Sequence, residues 1–205
     1  MIPDDLLAFV RAALPAPPAR VLEVGAGDGE LAEALRALGH DVLAIDPVSE
    51  ADAVARTALL DVDEPDGSFD AALAVRSLHH VEPLRESCER LAALVRPGGR
   101  LVVDEFDVER LDERAARWML GQRAAVGDDS HSAADELVAA MRAHLHPVSL
   151  VVEALAPAFT LGDPVPCAYL YRWNVPPGLR GAEERLIAAG DLPATGARLV
   201  GSRRS

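Results

Sequence analysis

The sequence contains no lysine, and all twenty of its basic residues are arginine. They face 33 acids, leaving a formal net charge of -13. Proteins that grip nucleic-acid backbones need a basic face to displace counterions, so DNA and RNA are not expected partners. Cysteine is scarce. Cys88 and Cys167 are far apart, with no Cys-x-x-Cys spacing and no histidine-rich surroundings, and are expected as buried thiols, neither a disulfide nor a metal site. No apolar run approaches the ~18 residues of a membrane span. The N-terminal "MIPDDLLAFVRAAL" carries acids where a secretory signal would carry basic residues, so the chain is expected in the cytoplasm, without a membrane partner. Internal repeats and low-complexity linkers are also missing.

What is present is a regular alternation of apolar strands and amphipathic helices. Residues 4–14 place Leu6, Leu7, Val10 and Leu14 at helical spacing, and "PAPP" stops that helix. "RVLEVGAG" reads as a buried strand, "GELAEALRALGH" as a helix ending at Gly39, and "DVLAIDP" as a second strand, together a right-handed βαβ unit. A short helix and a weak third strand near Ala58–Leu60 follow. "FDAALAV" is a fourth strand, continuous in apolar content as expected when both faces are covered. "EPLRESCERLAALV" is a helix closed by "RPGG", and "RLVVDEF" the fifth strand. Two helical stretches then flank the polar "GDDSHS", and "VPCAYLYRW", "GAEERLIAAG" and "ARLVGSRR" read as strand, helix and strand. The expected fold is α/β: a doubly wound, mostly parallel, seven-stranded sheet with a small helical insertion after strand five. One domain is expected, with an N-terminal helix and linker at 1–18, a cofactor-binding core at 19–106, the insertion at 107–150 and substrate-side elements at 151–205.

Ligands of such sheets bind beyond the carboxyl ends of the strands, where Gly25, Gly27 and Gly29 turn strand one into the first helix. Glycine lets a ligand approach the backbone, and Asp46, about 20 residues on, can accept hydrogen bonds from both hydroxyls of a ribose. A dinucleotide fingerprint would have a third glycine at position 30, where this chain has Glu30. A carboxylate there beside Asp28 repels a pyrophosphate, and a chain without lysine has no Tyr-x-x-x-Lys pair, so an NAD-dependent oxidoreductase is disfavoured.

The pattern E-x-G-x-G-x-G beginning at Glu23 resembles motif I of the class I S-adenosylmethionine-dependent methyltransferases. The resemblance continues through Asp46, "PDGSFDAALAV", "SLHHV" and "LVRPGGRLVVDEF", and is similar to the methyltransferase type 11, ubiquinone-biosynthesis-like small-molecule branch. It implies a methyl transferred from S-adenosyl-L-methionine to oxygen, nitrogen or carbon of a small organic acceptor, with S-adenosylhomocysteine as product. The alternative is a binding protein of the same fold without methyl transfer. By position, the resemblance implies that Glu23 helps hold the cofactor's amino end. Gly25, Ala26 and Gly27 would give backbone contacts, Asp46 would bind the ribose, Pro47 would lie near the adenine, and Arg76 would offer a backbone carbonyl. Asp61 and Val62 match the adenine-edge pair, with Asp63 competing. His79 and His80, just past strand four, are the candidate bases, because histidine titrates near neutrality. Asp104, Glu105 and Asp107 lack the Asp-Asn partner of metal-dependent catechol relatives, so no metal is expected. His131, His144 and His146 are expected at the surface. The substrate pocket is expected around Trp118, Met119, Tyr169, Tyr171 and Trp173, and the resemblance implies that the N-terminal helix also helps choose the substrate.

Overall fold

The computed structural model describes residues 2–128, 133–173 and 175–205; His131 lies outside the described residues. The sheet is built on four parallel strands, β1 (Arg20–Val24), β2 (Asp41–Ile45), β3 (Phe69–Val75) and β4 (Val95–Phe106). They lie in the order β2-β1-β3-β4. The long β7 (Gly196–Arg203) runs antiparallel beside β4. Along its other edge β7 pairs with two short strands, β5 (Phe159–Leu161) and β6 (Val165–Cys167). The chain leaves β1 in one direction toward β2 and returns to lay β3 on the other side, so the order reverses between β1 and β3. Such a switch point opens a crevice at the strand ends.

Period-two alternation decides what each face buries. Leu22, Ala72, Leu101 and Val103 point to the face covered by α3 (Leu84–Leu94) and α6 (Val148–Leu155). Val21, Ala71, Leu73 and Val102 point to the face covered by α1 (Asp4–Ala13) and α2 (Glu30–Ala37). On α3, Leu84, Cys88 and Leu91 recur at helical spacing and are buried, as their pattern predicts. A third apolar cluster joins Phe106, Met119, Leu137 and Tyr169 beneath α4 (Glu113–Ala124) and α5 (Ala134–His144), and α7 (Arg180–Ala189) precedes β7.

Three predicted elements are different in the structure. The segment 46–58 contains neither the short helix nor the third strand; Leu59–Asp61 is a single 3-10 turn, and Ala55 makes one isolated bridge to Ile45. Side chains there bond local backbone, Asp46 to the Val48 N–H and Ser49 to the Ala51 N–H and the Gly27 carbonyl, which competes with a helix. The sheet therefore ends at β2 on this side, and its seventh strand is Phe159–Leu161, which the pattern reading did not mark. The predicted strand at 165–173 stops at Cys167. Beyond it, the buried Glu183 carboxylate accepts the N–H groups of Tyr169, Leu170 and Tyr171, taking donors that a strand would give to its ladder, and Leu170–Arg172 turns instead. The "RPGG" turn is absorbed into β4 through a register shift.

Both cysteines are free thiols, Cys88 buried and Cys167 partly so. Burial pushes Cys88 up to about 12 and Cys167 up to about 11. Among the described residues no helix is long and apolar enough to cross a membrane.

Candidate functional site

The loop between β1 and α2 is pinned from below. Gly25 and Ala26 both donate their N–H groups to the Ile45 carbonyl, at 2.9 and 3.0 Å. Any contact these two make with a ligand therefore comes through their carbonyls and Cα faces. Gly25 has φ +70°, and a side chain there would run into Ser77. Gly27 has φ +56°, and no atom lies within 4 Å of where its Cβ would be. The first glycine is required by the protein's own packing, and the second leaves open space. Asp46 closes the arrangement, accepting the Gly27 N–H at 3.1 Å through one oxygen and the Val48 N–H at 2.9 Å through the other.

Two cavities flank this loop, each of about 580 Å³. The first lies among Glu23, the 25–31 loop, the start of α1, and Tyr171 and Arg172. The second is walled by Ile45, Pro47, Val48, Leu59, Leu60 and Val81, and is mainly apolar. Gly25, Asp46 and Arg76 belong to both. Val48 and Leu60, 75% and 41% exposed, form the apolar rim of the second.

Charge is arranged unevenly between them. Glu23 is 3% exposed and lines the first cavity, with one carboxylate oxygen lacking a hydrogen-bond partner. Burial raises its carboxyl from the ordinary 4.5 to about 8, with Arg36 opposing the shift and Asp28 adding to it. A neutral buried acid aimed at a cavity is suited to a cationic or hydrogen-bonding guest. Arg76 has φ +56°, rare for a residue with a side chain, and its N–H donates to the Asp104 carbonyl at 2.9 Å.

The two histidines are separated by their surroundings. His79 is 2% exposed, places Nδ1 against the Glu105 carboxylate, and lines neither cavity. Glu105 also accepts the Ser77 and Leu78 N–H groups at 3.0 and 2.7 Å, so it anchors the whole turn after β3. His80 is on the wall of the second cavity, its pKa lowered first by burial and then by His79. It is therefore neutral at pH 7 and able to accept a proton. His146, expected at the surface, instead braces this turn, bonding Glu82 and the Val81 carbonyl through its ring and the His79 carbonyl through its N–H. His144 is exposed.

Other predicted residues are apart from the site. Val62 is buried under α3 and Asp61 and Asp63 are exposed; the lining comes from Thr57 to Leu60, one step earlier in the chain. Met119 is packed in the third apolar cluster with Trp118 against it, and Tyr169 is fully buried there, so of the predicted substrate-side residues Tyr171 is the one lining a described cavity. Asp104 is occupied by Arg172 and Arg198. The N-terminal helix, which the resemblance implied on the substrate side, does line the first cavity, while Arg172 was not foreseen. The available signal was one arginine inside the aromatic run "YLYRW".

A family model described as a methyltransferase domain matches residues 2–144. The chain belongs to this methyltransferase family. An uncharacterized methyltransferase of Mycobacterium tuberculosis is 41% identical over 98 residues, 43% of this chain and 40% of that one. A ubiquinone biosynthesis O-methyltransferase of Xanthomonas campestris is 39% identical over 116 residues, 49% and 48% of the two chains. The chain thus spans less than half the length of these relatives. A solved S-adenosylmethionine-dependent methyltransferase from Mesorhizobium loti superposes with a TM-score of 0.63, covering 95% of each chain at 19% identity. At that identity the likeness is one of fold.

Proposed function

We propose that this chain transfers a methyl group from S-adenosyl-L-methionine to a small organic acceptor at oxygen, nitrogen or carbon. The observation that carries the reading is the pair of cavities joined at Gly25, Asp46 and Arg76, one apolar and one charged. A nucleoside linked to an amino-acid tail has the same division. Adenine fits between the Pro47–Val48 and Leu59–Leu60 walls. Asp46 accepts from the ribose hydroxyls, and the unpartnered Glu23 oxygen, with the Arg76 carbonyl, receives the ammonium group. The open space at Gly27 admits the tail close to backbone.

When bound, the cofactor supplies an electrophilic methyl on a positively charged sulfur. The protein's part is to align the acceptor with that methyl and keep water out. His80 is the base we assign for an acceptor hydroxyl or ammonium, and Glu105, through His79 and the Ser77 and Leu78 amides, is the group that holds its turn in place. The insertion and the Tyr171 turn form the acceptor side of one domain. The charge of -13 supports a small molecule over a nucleic acid.

Titration calorimetry with S-adenosylmethionine and S-adenosylhomocysteine, followed by mass-spectrometric detection of S-adenosylhomocysteine across phenol, amine and carbon-acid acceptors, tests the reading. Binding with acceptor-dependent product supports methyl transfer. Binding without product across the panel supports a cofactor-binding role alone, and no heat at millimolar ligand removes both.

A further inference from the structure

The charged cavity contains a side chain that the cofactor assignment above does not use. Glu183, fully buried on α7, fixes the 170–172 turn by accepting three successive N–H groups at 2.8, 3.0 and 2.8 Å. The turn carries Arg172 to the cavity wall with its side chain only 4% exposed. Its Nη1 donates to Asp104 at 2.5 Å and its Nε to the Tyr171 hydroxyl at 3.0 Å. The rings of Tyr169 and Tyr171 lie 4.9 and 5.2 Å from the guanidinium carbon. Nη2 is buried and has no hydrogen-bond partner.

The nearby acids do not meet that need. Asp5 Oδ2 is 4.0 Å from Nη2 and accepts from Arg198 at 2.7 Å. Asp5 Oδ1 is taken by Arg180 at 2.9 Å and by the Tyr171 hydroxyl at 3.3 Å, and the second oxygen of Asp104 by Arg198 at 2.6 Å. Each carboxylate oxygen around Arg172 has its own donor. A buried N–H of a charged group left unpaired is costly, and an arginine fork is shaped for a carboxylate. Asp28, Glu30 and Asp46 line the same cavity and would repel a doubly charged phosphate, which leaves a singly charged carboxylate as the matching anion.

We propose that Arg172 is the receptor of a carboxylate subsite in the charged cavity, filled either by the carboxylate of the cofactor's amino-acid tail or by that of the acceptor. The proposal rests on the cofactor reading, and the test separates the two. Calorimetry on the full chain compares S-adenosylhomocysteine with its decarboxylated analogue, which lacks only the carboxylate, on the unsubstituted protein and on Arg172→Gln. If the subsite takes the cofactor, the analogue binds about tenfold to a hundredfold more weakly to the unsubstituted protein, and Arg172→Gln binds both alike. If the two ligands bind the unsubstituted protein equally, benzoate and acetate are titrated into the S-adenosylhomocysteine complex, and uptake that Arg172→Gln abolishes assigns the subsite to the acceptor. The proposal is overturned if the carboxylate of the cofactor is indifferent and the complex takes up neither acid in an Arg172-dependent way. Should Arg172→Gln fail to fold, Arg172→Lys replaces it, and the comparison of ligands on the unsubstituted protein stands by itself. If S-adenosylhomocysteine does not bind at all, the cofactor reading falls, and the acid titrations on the ligand-free chain judge the subsite alone.

Discussion

The apolar cavity behind Asp46 and the charged cavity before it share three residues and a volume of about 580 Å³, yet they are built differently. The apolar one is assembled from residues close in sequence, Ile45 to Val48 and Thr57 to Leu60, with the turn after β3. The charged one draws Glu23 from β1, Leu6 from α1 and Arg172 from the segment before α7. A guest recognised by shape and dispersion needs only a local pocket, whereas ionic groups brought out of water need partners gathered from across the chain. Substitutions on the two sides should therefore separate by ligand, and the shared wall should affect both.

The largest effect is expected at that wall. Gly25→Ala places a methyl against Ser77 at φ +70°, and strain with overpacking of about 2–5 kcal/mol should lower the thermal unfolding midpoint by roughly 5–15 °C and weaken every ligand. Asp46→Ala comes next. It should cost about tenfold to a hundredfold in affinity for S-adenosylhomocysteine and for methylthioadenosine alike, since both carry the ribose. An affinity for either ligand left unchanged by Asp46→Ala would break the division of labour.

Glu23→Gln should act on one side alone, reducing affinity for S-adenosylhomocysteine and sparing methylthioadenosine, which has no amino acid. Its pH dependence sharpens the test. In the free protein the carboxyl is protonated up to about 8, against 4.5 ordinarily, so it stabilises the fold at low pH, and that stability is lost as pH rises between the two values. An ammonium guest favours the ionised form, so binding should release a proton and tighten with pH up to about 8, by as much as roughly tenfold per unit. Glu23→Gln should flatten that slope and melt a few degrees above the unsubstituted protein at pH 8, as calorimetry in two buffers and thermal melts will read. The smallest effect is expected from Leu60→Asp at the rim of the apolar cavity, a loss of about threefold to tenfold shared by both ligands, with the Glu23 slope unchanged.

The sequence was readable where local chemistry decides the structure. Continuous apolar runs marked β1, β3 and β4, the spacing of Leu84, Cys88 and Leu91 marked α3, and the order Glu23, Gly25, Gly27, Asp46 marked the loop that both cavities share. Reading failed where distant groups override propensity. Nothing near Arg172 announces Asp104, 68 positions away, or the Arg198 that ties Asp104 to Asp5, itself 193 positions from Asp5. "AYLYRW" has the composition of a strand, and only the Glu183 carboxylate, folded back on its amides, turns it away from the sheet. The 46–58 segment likewise looks helical until Asp46 and Ser49 bond their own backbone. The histidine pair was legible as a pair, but its division into a buried His79 and a cavity-facing His80 depends on Glu105, which β4 supplies.

The most direct test of the central claim is a crystal structure of the full chain with S-adenosylhomocysteine bound. The account predicts adenine between Pro47–Val48 and Leu59–Leu60, ribose hydroxyls on Asp46, and the amino-acid tail beside Glu23. Adenine in the charged cavity, or a tail directed away from Glu23, would contradict it.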